Sequence, residues 1–238
     1  LKRSFRRALM FTGALAVGGS AGHGAGLPSA LADARGTDAP AVQVYAAPPG
    51  DAPGGEGTPE RPFGDLRRAV DAARAGGTVR LLPGRYRLRA VRYMDSTCAN
   101  CERPDTLIHA TRALLVRGRG VRLVGAGAGR TVLVTGAGYG VLFERCTDCA
   151  IESLTVTGGI RDTSGMASDA AVVVKGGRVS LAALELIDNL GDSLTVRRTV
   201  VGIMGIAGRD GAELTVRGCG IVRNSWDGVA LFRGVRAV

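Results

Sequence analysis

The sequence predicts an all-β parallel β-helix, a solenoid with a short capping helix near its N-terminal end, and three observations carry that prediction. The first is a repeated spacing: Ile151-x-x-Leu154-x-Val156, Leu181-x-x-Leu184-x-Leu186 and Val216-x-x-Cys219-x-Ile221, offset by 30 and then 35 residues. The second is the context of each run. Each ends at an equivalent small or polar residue, Gly159, Asn189 and Asn224, and follows another apolar stretch, Val141 to Phe143, Val172 to Val174 and Ile203 to Gly205. A further stretch opens at Val229 to Phe232. The third is composition: 37 Gly against one Trp, four Tyr and five Phe favours tight turns and small stacked side chains over one large aromatic core. Short strands repeating at this period without helices between them mean stacked coils. Helices long enough for crossovers are missing, which excludes a doubly wound sheet or a (β/α) barrel. A β-sandwich would need antiparallel hairpins and would not require repetition at equivalent positions over three units.

Residues 1–32 read as an export signal: Lys2, Arg3, Arg6 and Arg7 form a positive leader, Ala8 to Val17 is an apolar run too short to span a bilayer, and Ala30-Leu31-Ala32 fits a small-residue cleavage site. The expected location is therefore secreted, periplasmic or at the cell surface. Removing residues 1–32 takes away four basic groups and no acidic ones, so the net charge falls from +10 to +6. The remaining arginines are scattered over strand ends and turns instead of clustering on one face, so no nucleic-acid partner is expected. Residues 33–43 are a short polar linker, and 44–238 form the β-helix domain. Val44-Tyr45 reads as a strand, Pro48 to Pro62 as a turn-rich stretch. Asp65 to Arg74 reads as a helix, because Leu66, Ala69, Val70 and Ala73 fall on one stripe. Gly76-Gly77 stops it, and strand-like alternation begins at Thr78-Val79-Arg80-Leu81.

Val44-Tyr45, Gly57-Thr58-Pro59-Glu60-Arg61-Pro62-Phe63, Leu66 to Val70, Gly76 to Leu81 and Pro83-Gly84-Arg85-Tyr86 together resemble the entry segment of exported right-handed parallel β-helix proteins of the pectate lyase-like superfamily. The later coils, with Asn224-Ser225-Trp226-Asp227-Gly228-Val229, are similar to the same superfamily, so the likeness covers roughly 44–238. It implies that the amphipathic helix plugs the open end of the coil. It implies less about activity, since the superfamily includes lyases, glycoside hydrolases, epimerases and noncatalytic surface proteins. A solenoid exposes its core at both ends. No second cap is visible before Val238, so the chain is expected to be the N-terminal portion of a longer protein.

The sharpest chemical feature comes from stacking the repeats. Three residues after Gly159, Asn189 and Asn224 stand Asp162, Asp192 and Asp227. If adjacent strands lie about 4.8 Å apart, neighbouring carboxylates fall roughly 5 Å apart and the outer two roughly 10 Å. Such a row needs a cation, arginine partners or a raised pKa, and Arg161, Arg197, Arg198 and Arg209, along with Asp169 and Asp210, are near in sequence. Extra residues at Thr163 to Ala170 and Ser193 to Val200 would wall a groove. Three readings stay open: two-carboxylate glycoside hydrolysis; Ca²⁺ with an acidic sugar and a basic group taking a proton, which the resemblance makes available; or turn aspartates that hold corners without doing chemistry. The corresponding partner is a polysaccharide to be cleaved or bound, and the rival class is a noncatalytic structural or adhesion solenoid. Trp226 either stacks on a sugar ring or packs at a corner. Lys175, before Gly176-Gly177, is read as a solvated turn lysine, with a base role as the other reading.

Cys98-x-x-Cys101 and Cys146-x-x-Cys149 fit disulfides or packed thiols, with a four-thiolate Zn²⁺ site as the alternative. Either way they are expected to tie the inserted loop of Tyr93 to Pro104 onto the coil near Cys146. Cys219 occupies the position of Leu154 and Leu184 and is expected to be a buried core thiol. His109 reads as a surface or loop residue, and with His23 as the other histidine a three-histidine zinc centre is excluded.

Overall fold

The computed structural model describes residues 42–238 apart from 51–54 and 75. The expected export signal, and the linker as far as residue 41, lie outside the described residues. The chain is an all-β parallel solenoid of about six turns. Its first part runs β1 (Gln43–Ala46), α1 (Leu66–Ala72), β2 (Thr78–Leu81), β3 (Gly84–Arg87), β4 (Val91–Asp95) and β5 (Ile108–Val116). The middle runs β6 (Arg122–Val124), β7 (Thr131–Val134), β8 (Tyr139–Glu152), β9 (Thr155–Thr157), β10 (Ala170–Ala182) and β11 (Glu185–Ile187). The last part runs α2 (Ser193–Thr199), β12 (Met204–Arg209), β13 (Glu213–Arg217), β14 (Gly220–Val222), β15 (Val229–Leu231) and β16 (Arg236–Ala237).

The strands stack in three rows. One row holds β1, β2, β6, the second halves of β8 and β10, β13 and β16; a second holds β3, β7, β9, β11 and β14; the third holds β5, the first halves of β8 and β10, β12 and β15. Pairing is parallel throughout except for the β4–β5 hairpin. The repeat spacing is realised residue by residue. Leu181 pairs with Ile151 and Val216, and Leu186 pairs with Val156 and Ile221. Leu154 and Leu184 are therefore successive members of one interior column, and both are buried. Cys219 is the third member, but it is only partly buried. It packs against the edge of the same core.

Helix α1 starts where the side chain of Asp65 accepts the Arg67 N–H at 2.9 Å, an N-cap that satisfies one of the free amide donors at a helix start. Its stripe of Leu66, Ala69, Val70 and Ala73 joins the core around Val44 and Val79. It packs on β1 and β5.

Burial along the strands separates two environments. Thr78–Leu81 and Gly84–Arg87 alternate between covered and solvent-facing residues, as strands covered on one face do. By contrast, Tyr139 to Glu144, Ala170 to Lys175 and Met204 to Arg209 are buried at every position, the pattern of strands covered on both faces. Their outer covering is a flap made by β4 and the loop that follows it. Cys98, Ile108 and Ala110 pack there against Tyr139, Leu142, Val173 and Ala207, forming a second apolar core outside the coil.

Candidate functional site

The flap decides where the charged residues lie. Glu144, Lys175 and Arg209 are register partners on β8, β10 and β12, and all three are buried. Asp95, at the end of β4, descends onto them. Lys175 Nζ lies 2.5 Å from Asp95 Oδ1, and Arg209 Nη1 lies 2.9 Å from Asp95 Oδ2. Tyr139 donates its hydroxyl to Asp95 Oδ2 at 2.9 Å. Arg209 also donates to Ser168 Oγ at 3.0 Å and to the Thr97 carbonyl. Burial pushes the Tyr139 phenol up, so it remains a donor.

Lys175 is thus not the solvated turn residue expected from the glycines after it. It is 5% exposed. Its ammonium is surrounded by Asp95, Tyr93, Ser96 and Glu144, which leaves no face from which to take a substrate proton. Arg209 is a member of this buried cluster instead of a groove residue. The flap is tied to the coil through Asp95, and the expected cysteine tie does not form.

The aspartate row is dispersed. Asp162 lines a hollow of about 640 Å³ with Arg92, His109 and Thr111, and accepts a hydrogen bond from Ser164 Oγ. Asp192 caps α2, accepting the Leu194 and Thr195 N–H groups at 3.0 and 2.9 Å; the Thr195 bonds hold its carboxyl below the ordinary range. Asp227 lines a different hollow, with Trp226. The expected arginine partners go elsewhere as well. Arg161 is fully buried against Asp169, Nη1 to Oδ2 at 2.6 Å, and donates to the carbonyls of Ala167 and Gly165. Asp169 is therefore a buried brace of the 162–169 loop and not a ligand-facing group. Burial pushes its carboxyl up to about 6 against the pull of Arg161. Arg197 and Arg198 occupy the last turn of α2 and are exposed, a placement that suits the negative end of a helix.

The residues just before the aspartates do form a ladder. Asn189 Nδ2 donates to the carbonyls of Val156 and Ile187 at 3.3 and 3.2 Å and to Asn224 Oδ1 at 2.9 Å, while its own Oδ1 accepts the Gly159 N–H at 2.9 Å. A Cβ at position 159 would stand 3.0 Å from Asn189 Oδ1. The absence of a side chain there thus lets the amide approach.

Among the predicted site residues, Trp226, Asp227 and Arg161 share one hollow of about 250 Å³. Asn100 of the flap, Met166 and Ser168 of the 162–169 loop and Phe232 complete its walls. Trp226 is 47% exposed, so its indole is half open to solvent and does not act as a packed corner.

Sequence reasoning missed Asp95, Glu144 and Tyr93. A signal was present for Glu144: it, Lys175 and Arg209 each end an apolar run at the same register, one to a coil. No comparable signal marks Asp95, whose hairpin does not repeat.

The cysteines separate into two kinds. Cys98 is bonded to Cys101 within the flap, whereas Cys146 and Cys149 are buried free thiols in the interior core. The hydrogen bond between those two thiols pushes Cys146 up and holds Cys149 down. No group of three or more His, Cys, Asp and Glu among the described residues is arranged to hold a metal ion, so the four-thiolate geometry is not formed. Among the described residues no helix is long and apolar enough to cross a membrane.

No protein-family model matches this chain, and no curated protein does either. The functional reading therefore rests on the β-helix fold, which is compatible with polysaccharide-acting and adhesion proteins, and on the chemistry of these hollows.

Proposed function

We propose that this chain is an exported β-helix protein that binds polysaccharide at the hollow beside Trp226 and holds it without cleaving it. The observation that carries the reading is a half-exposed indole that lines one hollow together with a carboxylate, Asp227, and an amide, Asn100. A sugar ring offers an apolar C–H face and a rim of hydroxyls. The first suits an aromatic face, and the second suits a few placed polar groups in an otherwise apolar cleft. At about 250 Å³ the hollow lies below the usual range for drug-sized ligands and fits one ring of a chain that continues along the surface.

Binding without cleavage is favoured because, among the described residues, Asp227 is the one carboxylate lining this hollow, whereas hydrolysis of a glycosidic bond calls for two. A single carboxylate also falls short of the six to eight oxygens, roughly, that Ca²⁺ gathers. Export is supported by the Cys98–Cys101 bond, since disulfides persist in oxidising compartments.

Trp226 is the one tryptophan in the chain, so its emission reports directly on the site. Titration with neutral and acidic oligosaccharides is expected to shift that emission for at least one glycan, equally with and without calcium. Trp226→Ala should abolish binding measured by calorimetry. No reducing ends and no unsaturated products should appear. Failure of every glycan to bind, or release of either product, would overturn the reading.

A further inference from the structure

A separate hollow of about 530 Å³ is lined by Tyr93, Met94, Ser96, Arg117, Glu144 and Arg145 and shares no residue with the one at Trp226. Among the described residues its one carboxylate, Glu144, is already engaged. Glu144 Oε1 accepts the Tyr93 hydroxyl at 2.5 Å and faces Lys175 Nζ at 3.5 Å, and Oε2 accepts Arg117 Nε at 2.9 Å together with Arg117 Nη2. Burial works against the charge on Glu144, but the bonds from Tyr93 and Arg117 overcome it and hold the carboxyl below the ordinary range. The carboxylate facing this hollow is thus taken.

The donors are not. Ser96 Oγ accepts from Lys175 at 3.4 Å and keeps its own proton to give. Arg117 spends Nε and Nη2 on Glu144 and retains Nη1. Arg145 is exposed and makes no ion pair or side-chain hydrogen bond among the described residues. Charge points the same way, since Glu144, Asp95 and Asp210 are outnumbered by Arg117, Arg145, Lys175 and Arg209 around and beneath the hollow.

The backbone at Arg145 adds an independent observation. Lys175 is the register partner of both Glu144 and Arg209, so the residues that follow, Gly176, Arg145 and Asp210, turn the same corner of successive coils. Their φ values are 67°, 51° and 55°, in the left-handed region that favours glycine. Asp210 earns its place by accepting the Thr97 hydroxyl at 2.7 Å. Arg145 makes no comparable contact, yet a full guanidinium is held there at the rim of a donor-rich hollow.

We infer that this hollow is a binding site for a tetrahedral oxyanion, a sulfate or phosphate ester group, held by Arg145, the free Nη1 of Arg117 and the Ser96 hydroxyl. A planar carboxylate is satisfied by a single guanidinium edge. Donors arriving from three separate segments, the flap, the end of β5 and the corner of β8, suit an anion with acceptor oxygens on every side. The site lies apart from Trp226 and does not depend on the polysaccharide reading.

The test uses the full chain with inorganic sulfate, inorganic phosphate and acetate at constant ionic strength, followed by calorimetry and thermal melting. Sulfate or phosphate is expected to bind and raise the melting temperature, and acetate is not. Binding of one tetrahedral anion alone identifies which ester is meant. Arg145→Gly removes the guanidinium and relieves the left-handed strain. It should weaken binding by at least about tenfold, the loss of one charge-assisted contact, while melting in chloride stays at or above that of the parent. Equal binding of the parent and Arg145→Gly, or no preference for either tetrahedral anion over acetate, would overturn the proposal. No saccharide enters the experiment, so its failure is distinct from a failure at Trp226.

Discussion

Lys175 Nζ sits 2.5 Å from Asp95 Oδ1 across 80 residues of sequence, and this contact fastens the flap to the coil. Asp95 is wholly buried and receives Lys175, Arg209 and the Tyr139 hydroxyl together. A carboxylate so placed is stable only because two cations share it, and each cation in turn depends on the carboxylate.

Asp95→Ala should therefore cost about 3 to 5 kcal/mol, the range for removing one partner from a buried ionic group. Lys175→Met should cost less, because Arg209 still pairs with Asp95. Urea unfolding of both variants checks the order; a Lys175→Met loss equal to or larger than that of Asp95→Ala would contradict the shared-carboxylate arrangement.

Asp169 carries a pH dependence. Its carboxyl is pushed from the ordinary 3.8 to about 6 by burial, so between these values the folded chain holds more protons than the unfolded one. Stability must then fall as pH rises through that window and level off above it. Asp169→Asn retains an acceptor for Arg161 and should lack this component. Unfolding free energies measured from pH 4 to 7, roughly the window of the shift, should decline more steeply for the parent than for Asp169→Asn; parallel profiles would remove Asp169 as the cause.

Asn189→Ala strands the Gly159 N–H and leaves the Val156 and Ile187 carbonyls short of a donor, while the Asn224 side-chain oxygen keeps the backbone N–H of residue 189. Unsatisfied buried groups cost about 1 to 3 kcal/mol, and the loss should fall in that range or somewhat above it. Asn224→Ala, at a half-buried position, should cost less. Chemical denaturation of the two variants provides the comparison.

Asp192→Ala removes the cap of α2 and should raise amide exchange at Leu194 and Thr195 without altering glycan binding at Trp226. A loss of binding would restore Asp192 to the site.

The stacked columns were legible in the sequence because parallel coils place equivalent positions on top of one another. Ile151, Leu181 and Val216 repeat a side-chain type since each must fill the same slice of interior, and the stripe of α1 is legible for a similar reason, as a helix of fixed pitch has one face to bury. The same logic failed for Asp162, Asp192 and Asp227. They lie in the connections after the stacked Gly159, Asn189 and Asn224, where the inserted residues 163–169 and 193–199 differ between coils. Once the paths diverge, equal spacing from the last shared residue no longer means equal position, and one aspartate becomes a helix cap while the other two face separate hollows.

The sequence by itself determined the solenoid, its register and its interior, because periodic burial needs only local spacing to be read. The tertiary structure alone decided that Lys175 and Arg209 are buried, that Asp95 lies over them, and that Arg145 is left at a donor-rich rim. Those outcomes depend on one non-repeating hairpin folding back over the outer face of the sheet, and the energy of a charge is set by what surrounds it in space and not by its neighbours along the chain.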